Sequence, residues 1–415
     1  MILDEEERNE LQIPALDLHN LEVISAVGRG AKGVVFLAID KASNAQDLLA
    51  LKVISKSLIE KKTKPIDDVV HGSEYKRILF EQQVLRRFDH PLLPRLRGAL
   101  DTQNVVAYAI DYCPGGNLNS LRKRQTEKMF SDDVIRFYAA ELVLALEYLH
   151  SLEIVYRDLK PENVMIQDNG HIMLVDFDLS TKLTPKTPRS SPKSNSFPKS
   201  ESKKKKRFSR CFCNSGILPE DSPGELAPEL SESDSSSKCN SFVGTEEYVA
   251  PEIVAGNGHD FAVDWWSLGV LLYEMLYGTT PFRGSNRKET FYRILSKEPE
   301  LTGETTTLRD LIAKLLQKEP KKRIGVEGIK GHDFFKRVEW DSVLRISRPP
   351  FIPANQNEEG TEGNKRIDVE LFVQEIFGVG VKNNNEHHEE ENLSKRVWVE
   401  ELNQNPTKND KFLIF

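Results

Sequence analysis

Between Leu21 and Asp111 the apolar positions fall in the short runs LEVISAVG, GVVFLAID and LLALKVI, rich in β-forming residues and set apart by polar stretches, and these predict strands. The stretch EYKRILFEQQVLRRF has a different spacing, with Ile78, Glu81, Leu85 and Phe88 on one face of a helix. From about Ser131 the chain reads mostly helical, starting with SDDVIRFYAAELVLALEYLH. There Ser131 is placed to cap, and Asp132 and Asp133 suit the positive end of the helix dipole. The pattern breaks over 181–240, resumes at FAVDWWSLGVLLYEMLYG and continues to about Phe335. The expectation is an α+β, bilobal chain. Residues 1–20 form an extension, about 21–113 a small β-rich lobe, about 114–335 a larger α-helical lobe, and 336–415 a polar tail with the apolar ending KFLIF. No internal repeat is present.

Residues 181–240 hold fourteen serines and seven prolines but hardly any periodic apolar positions. Too little apolar surface is available to offset the entropy of ordering, so the segment reads as a disordered insert. Its charge is polarised: 182–210 carries eleven basic residues and one acid, 211–240 one basic residue and six acids. Over the whole chain the net charge is -7, which argues against a basic surface built for nucleic acid. Any basic partner site must be local. The four cysteines, Cys113, Cys211, Cys213 and Cys239, do not form a disulfide framework and point to a reducing compartment. The acidic opening MILDEEERNE is unlike a signal peptide, and no apolar run is long enough to span a membrane, so a cytoplasmic or nuclear protein is expected.

Chemistry enters with the glycines. Val27-Gly28-Arg29-Gly30-Ala31-Lys32-Gly33-Val34-Val35 lies between two predicted strands, so it reads as a hairpin covering phosphates rather than a strand-to-helix dinucleotide turn. Alone it reads equally well as a plain glycine-rich hairpin. Nineteen residues beyond Gly33, Lys52 sits on the next long strand, placed to hold phosphates, with Glu81 on the following helix as partner for its ammonium. The strongest signal is YRDLKPENVMI followed by VDFDLS. It supplies a base, Asp158, to receive a hydroxyl proton; a cation, Lys160, for a γ-phosphate; and Asn163 and Asp176, hard oxygen donors suited to magnesium.

These motifs, in this order, resemble those of eukaryotic protein kinases over about 21–180 and 241–335. Tyr156 in place of the usual His of the catalytic loop, SFVGTEEYVAPE at 241–252 and RPPFIP at 348–353 are similar to the AGC group. Asp176-Phe177-Asp178 with the long insert resembles its plant AGC VIII branch, of the oxidative-signal-inducible type. The resemblance implies a bilobal kinase fold, ATP and Mg2+ as cofactors, and Ser or Thr of proteins as acceptor. It also implies a hinge of Ile110, Asp111 and Cys113, with Val35, Ala50 and Met165 enclosing adenine. Asp264 would anchor the catalytic loop, Glu252 would pair with Arg323, and Leu85, Leu96, Tyr156 and Phe177 would stack as an apolar spine. Glu162 and Glu274 match acidic positions that recognise basic substrates, while Asn117 stands where many relatives carry Glu. The competing reading is a catalytically silent scaffold, which the intact set Lys52, Glu81, Asp158, Asn163 and Asp176 disfavours.

Three regulatory expectations remain. Ser241 matches the AGC activation phosphosite, with Arg157 placed to grip its phosphate. The cations of Lys203 to Arg210 read as a solvated charge run, a nuclear signal or an anionic-membrane contact at the plasma-membrane periphery. Phe412 and Phe415 resemble a hydrophobic motif. It would dock beside the Glu81 helix or recruit the phosphoinositide-dependent activating kinase that phosphorylates Ser241.

Overall fold

The computed structural model describes residues 15–30, 32–41, 47–61, 68–183, 239, 241–347, 349–353, 367–377 and 413–414. The elements of the first lobe are strands β1 (Leu21–Arg29), β2 (Gly33–Asp40) and β3 (Leu48–Ser55), helices α1 (Lys56–Lys61) and α2 (Asp68–Leu85), then β4 (Leu96–Asp101) and β5 (Val105–Asp111). The second lobe holds α3 (Leu118–Lys123), α4 (Asp132–Ser151), β6 (Ile154–Val155), β7 (Val164–Ile166), β8 (Ile172–Leu174) and β9 (Thr181–Lys182). It continues with α5 (Pro251–Val254), α6 (Ala262–Tyr277), α7 (Arg287–Ser296), α8 (Thr307–Leu315) and α9 (Val326–Lys330). The tail contributes α10 (Val369–Ile376) and β10 (Leu413–Ile414).

β1 to β5 form an antiparallel sheet, and β10 joins it in parallel, giving the order β10-β1-β2-β3-β5-β4. Strand alternation sends Leu21, Val23, Val34, Phe36, Leu51, Val53, Ala107 and Ala109 into one core layer, and Val369, Val373 and Ile376 of α10 close it. Ile54, Val106 and Tyr108 belong to the larger core, which takes in Leu85 of α2 and runs through the second lobe. The centre of that lobe is α6, whose Trp266, Leu268, Val270, Leu271, Leu272 and Met275 are fully enclosed. Apolar on all sides, α6 could not be stable on a surface.

Local details depart from the sequence reading. Helix α2 begins at Asp68 and ends at Leu85, so Phe88 lies beyond it and still reaches the core. Ser131 occupies the N-cap of α4 but its side chain makes no capping hydrogen bond. Asn117, by contrast, accepts the Ser120 N–H at 2.8 Å and caps α3. The tail is not uniformly polar: Val369, Phe372, Val373 and Ile376 recur at helical spacing and pack on the sheet. Part of the N-terminal extension also joins the sheet, through the Leu16 N–H donated to Ala99 O at 2.9 Å. Of the insert read as disordered over 181–240, Thr181–Lys182 instead form β9 against β6 and Cys239 bridges His259; residues 184–238 and 240, including Lys203 to Arg210, lie outside the described residues, as do Ala31, Phe412 and Phe415.

Candidate active site

The glycine-rich turn joins β1 to β2, closed by the Gly30 N–H donated to Gly33 O at 2.9 Å. A Cβ on Gly33 would stand 2.3 Å from the Val53 carbonyl oxygen of β3, so only glycine lets these backbones approach. Strand register then sets Val35 opposite Lys52 and Ala50 opposite Ile110 beneath the turn. The Gly115 N–H donates to Ile166 O at 3.0 Å and the Ile166 N–H to Gly116 O at 2.8 Å, which draws β7 and Met165 up to the segment after Asp111. There Cys113, Met165, Met173 and Val175 form a separate apolar cluster. Burial, reinforced by the Asp111 charge, pushes the Cys113 thiol well up. The Asp111 carboxylate accepts from the Arg95 N–H (2.9 Å) and the Arg97 guanidinium (2.6 Å).

Lys52 links three elements. Its Nζ lies 3.2 and 3.3 Å from the two Glu81 carboxylate oxygens and 2.9 Å from Asp176 Oδ1. Glu81, buried under the ammonium, also accepts the Phe177 N–H at 3.1 Å. Burial alone would lower the Lys52 pKa, but the Asp176 and Glu81 carboxylates overcome it and hold the pKa well above its ordinary value. Asp176 responds in the opposite sense: against the cost of burial, Lys52 keeps its pKa below the usual carboxylate range. At Asp178 the pull of Lys52 is outweighed. Burial and then the neighbouring Asp176 charge push its pKa up to about 7. The left-handed backbone in this loop falls at Asp176 (φ 62°), and Asp178 is not among the residues with positive φ.

The second half of the site stands on Asp264, a fully buried carboxylate at the start of α6. Its Oδ2 accepts the Tyr156 N–H at 2.9 Å and lies 2.8 Å from His150 Nε2, while Oδ1 accepts the Arg157 N–H at 2.8 Å. These bonds hold Arg157 at φ 69°, a strained angle for a residue that carries a side chain. Directly after it, Asp158 Oδ1 accepts the Thr245 hydroxyl at 2.7 Å, and Oδ2 accepts from Lys160 Nζ at 2.9 Å and Asn163 Nδ2 at 3.0 Å. Lys160 also reaches Thr245 Oγ1 at 3.2 Å. Despite its own burial, Lys160 has its pKa raised by Asp158. Because the Asn163 amide nitrogen is committed to Asp158, the amide oxygen is left as an acceptor; with the second Asp176 oxygen it makes a hard-donor pair that suits magnesium. The rings of Tyr156 and Phe177 meet edge to face with centroids 5.2 Å apart, and Phe88 meets Phe177 at 4.8 Å.

Arg157 extends from this loop to the activation segment. Its Nε donates to Leu179 O at 2.7 Å, and its Nη1 reaches Ser241 Oγ at 2.6 Å and Cys239 Sγ at 3.3 Å. Further along, Glu252 and Arg323 form a buried two-pronged ion pair at 2.7 and 3.0 Å. A glycine-roofed cleft, a bridged lysine, a base flanked by a lysine, and a loop ordered around one carboxylate form a phosphoryl-transfer constellation. The protein kinase domain family matches residues 21–200 and 226–335.

The chain belongs to the protein kinase family. The kinase is similar to serine/threonine-protein kinase OXI1 of Arabidopsis thaliana, 60% identical over 99% of this chain and 100% of that protein. It is also similar to two other Arabidopsis thaliana proteins. Serine/threonine-protein kinase UCN is 42% identical over 88% of this chain and 90% of that one, and serine/threonine-protein kinase AGC1-5 is 38% identical over 82% and 60%. The name of AGC1-5 agrees with the AGC grouping read from Tyr156 and SFVGTEEYVAPE.

Among the predicted site residues, the structure gathers Lys52, Glu81, Asp158, Lys160, Asn163 and Asp176 at one end of the cleft. The acids expected to recognise basic substrates are engaged within the protein. Glu162 accepts from Asn119 Nδ2 at 2.8 Å, and Glu274 pairs with Arg122 at 2.7 Å and with the Tyr248 hydroxyl. Thr245, which together with Lys160 favours Ser and Thr acceptors in the sequence, is bonded to both Lys160 and Asp158; the contact with Asp158 was not read from the sequence, because the two stretches are far apart in the chain. Sequence reading also missed His150 beneath Asp264, whose only signal was its place at the end of an apolar helix. Of the apolar ending only Leu413–Ile414 is described, and it pairs with β1, at the opposite edge of the sheet from β4.

Proposed function

We propose that this kinase transfers the γ-phosphate of ATP to serine and threonine hydroxyls of proteins, with Asp158 as the group that takes up the hydroxyl proton. The observation that carries this reading is the unbroken chain Glu81–Lys52–Asp176 beside Asp158 with its Lys160. A silent scaffold has no use for buried charges held at such cost. Val35, Ala50 and Met165 enclose the adenine, and the backbone of Ile110, Asp111 and Cys113 receives its edge. The backbone from Val27 through Val34, including Gly28, Arg29, Gly30, Ala31, Lys32 and Gly33, covers the phosphates. Lys52 holds the α- and β-phosphates, and Lys160 steadies the γ-phosphate as the acceptor oxygen approaches. Asn163 and Asp176 are the residues that would hold Mg2+. The chemistry that ion supplies when bound is neutralisation of phosphate charge. Thr245, hydrogen-bonded to both Asp158 and Lys160, positions the base toward a serine or threonine acceptor. The names of the relatives OXI1 and UCN, serine/threonine-protein kinases, support the choice of acceptor.

Regulation follows the same geometry. Arg157, already 2.6 Å from Ser241 Oγ, would grip a phosphate there and tie the activation segment to the catalytic loop. The activating enzyme is proposed to be a phosphoinositide-dependent kinase recruited through Phe412 and Phe415. The basic run Lys203 to Arg210 is proposed to hold part of the cytoplasmic pool at anionic membrane surfaces, to be tested by liposome co-sedimentation after alanine replacement.

The functional test is a peptide-array assay with radiolabelled ATP and phosphoamino-acid analysis. Wild type should label serine and threonine peptides, Asp158→Ala should abolish labelling, and Ser241→Ala should reduce it. Labelling that survives Asp158→Ala would sink the proposal.

A further inference from the structure

Behind Lys52 lies a fully enclosed tyrosine, Tyr108. It faces Lys52 in direct register across the β3–β5 pairing, so both side chains leave the same face of the sheet. The ammonium stands over the Tyr108 ring, 5.6 Å from its centroid, a distance at which the ring face attracts a cation. The hydroxyl, however, has no hydrogen-bond partner among the described residues. Phenylalanine would offer the same ring without the cost of an unpaired buried O–H, so the oxygen calls for a use. Burial, with the Glu81 charge second, holds the phenol pKa well above its ordinary value, and the group therefore stays a donor.

The acceptor with the weakest supply of donors is the buried carboxylate of Glu81. Its Oε1 accepts the Phe177 N–H at 3.1 Å besides Lys52 Nζ at 3.2 Å, whereas Oε2 has Lys52 alone among the described residues, at 3.3 Å. Lys52 has three N–H groups, and the two Glu81 oxygens and Asp176 Oδ1 already take them. An ammonium that turns to phosphate oxygens must give up part of this set. Glu81 Oε2 would then be buried with no donor, a costly state for a charged acceptor.

We propose that Tyr108 is a positioning residue for Glu81: its hydroxyl is a reserve donor, idle while the ammonium bridges Glu81 and Asp176, and taken up by Glu81 Oε2 when phosphate draws the ammonium away. The ring is packed on all sides and stays in place. Its O–H turns about the C–O bond, and the carboxylate, released by the ammonium, swings to meet it. Helix α2 thereby keeps its seat against the sheet while Lys52 serves the nucleotide. This exchange rests on Lys52 as the phosphate-holding cation, and Tyr108 acts in it through Glu81 alone.

The test uses the full-length chain with Tyr108→Phe, which keeps the ring and removes only the oxygen. It is made in the wild-type background and in Glu81→Leu, which removes the acceptor. Thermal midpoints are measured with and without a non-hydrolysable ATP analogue and Mg2+, and the Kd of the analogue is measured in all four proteins. Without the analogue, Tyr108→Phe should melt at or above the wild-type temperature, because an unpaired oxygen has gone. With it, the variant should gain less, its Kd weakened five- to tenfold, and in turnover the change should fall on the KM for ATP more than on kcat. In the Glu81→Leu background the same substitution should change the Kd less than twofold. A lower midpoint without the analogue, joined to an unchanged Kd, overturns the reserve donor and leaves a structural tyrosine. An equal loss of affinity in both backgrounds overturns Glu81 as the acceptor. If Glu81→Leu does not fold, the midpoints and Kd of Tyr108→Phe against wild type still decide. Failure of wild type itself to bind the analogue overturns Lys52 as the phosphate cation and this exchange with it; normal wild-type binding with an unaffected Tyr108→Phe overturns the exchange alone.

Discussion

Replacing Asp264 with Asn changes one oxygen to an amide nitrogen in a fully enclosed site, and so tests the catalytic loop without touching any group in the cleft. The carboxylate now receives two backbone N–H groups, from Tyr156 at 2.9 Å and Arg157 at 2.8 Å. An amide has one acceptor oxygen, so whichever way it turns, its NH2 confronts one of these donors. His150 can adjust by changing tautomer, but the backbone cannot. Losing a buried hydrogen bond to a charged acceptor costs about 1.5–3 kcal/mol. The Arg157 backbone at φ 69° stores roughly 1–2 kcal/mol more that its anchor no longer holds in place. If about 3 kcal/mol falls on the alignment of Asp158, kcat drops roughly 100-fold. Lys52, Glu81 and the glycine-rich turn are not attached to Asp264, so the KM for ATP should stay within about threefold of wild type, an allowance of under 1 kcal/mol. The assay is steady-state phosphorylation of a peptide, run well below the thermal midpoint of the variant. A kcat within threefold of wild type would refute the argument that this carboxylate holds the loop.

Two further outcomes follow. Asp178→Gly should tighten inhibitors selective for a flipped Asp-Phe segment by about tenfold, since entering the left-handed region costs a residue with a side chain roughly 1–2 kcal/mol that glycine avoids; equal Kd values for variant and wild type would end that account. His171, hydrogen-bonded to buried Glu141, has its pKa raised above its ordinary value of 6.5, chiefly by that bond. The folded state therefore binds the proton more tightly. The stability contributed is full below about pH 6.5 and is lost as pH rises through the folded pKa. The advantage of wild type over His171→Gln in thermal midpoint should accordingly shrink from pH 6 to pH 9, and a constant difference would contradict it.

The chemistry was legible where its residues are close in sequence or obey a fixed order. Gly28, Gly30 and Gly33 precede Lys52, and Asp158, Lys160 and Asn163 lie within six residues, so spacing alone groups them. Glu81 taken singly is a surface charge by default; its burial under Lys52 depends on how α2 is rotated against β3, which no local pattern encodes. Thr245 and Asp158 meet only because the activation segment folds back. The α10 helix did carry a signal, since Val369, Phe372, Val373 and Ile376 have helical spacing. It was hidden by polar neighbours on both sides, and the surface it covers could be known only once the sheet was assembled. Ser131 shows the converse: a residue of the right type at the right position that makes no cap.

The cluster of Cys113, Met165, Met173 and Val175 has a pharmacological consequence. Three of its four members carry sulfur, and the Cys113 Sγ lies 3.6 Å from Met173 Sδ. Thioethers on unbranched chains repack readily, so a scaffold of unusual shape can find room against this wall where a rigid branched one would refuse it. In the proposed adenine pocket the thiol is the group a covalent ligand would seek, and burial, with the Asp111 charge, pushes its pKa well up, away from the thiolate. Only a thiolate attacks an acrylamide at useful speed. Compounds for this enzyme therefore gain residence time from the fit against soft sulfur rather than from a bond to it.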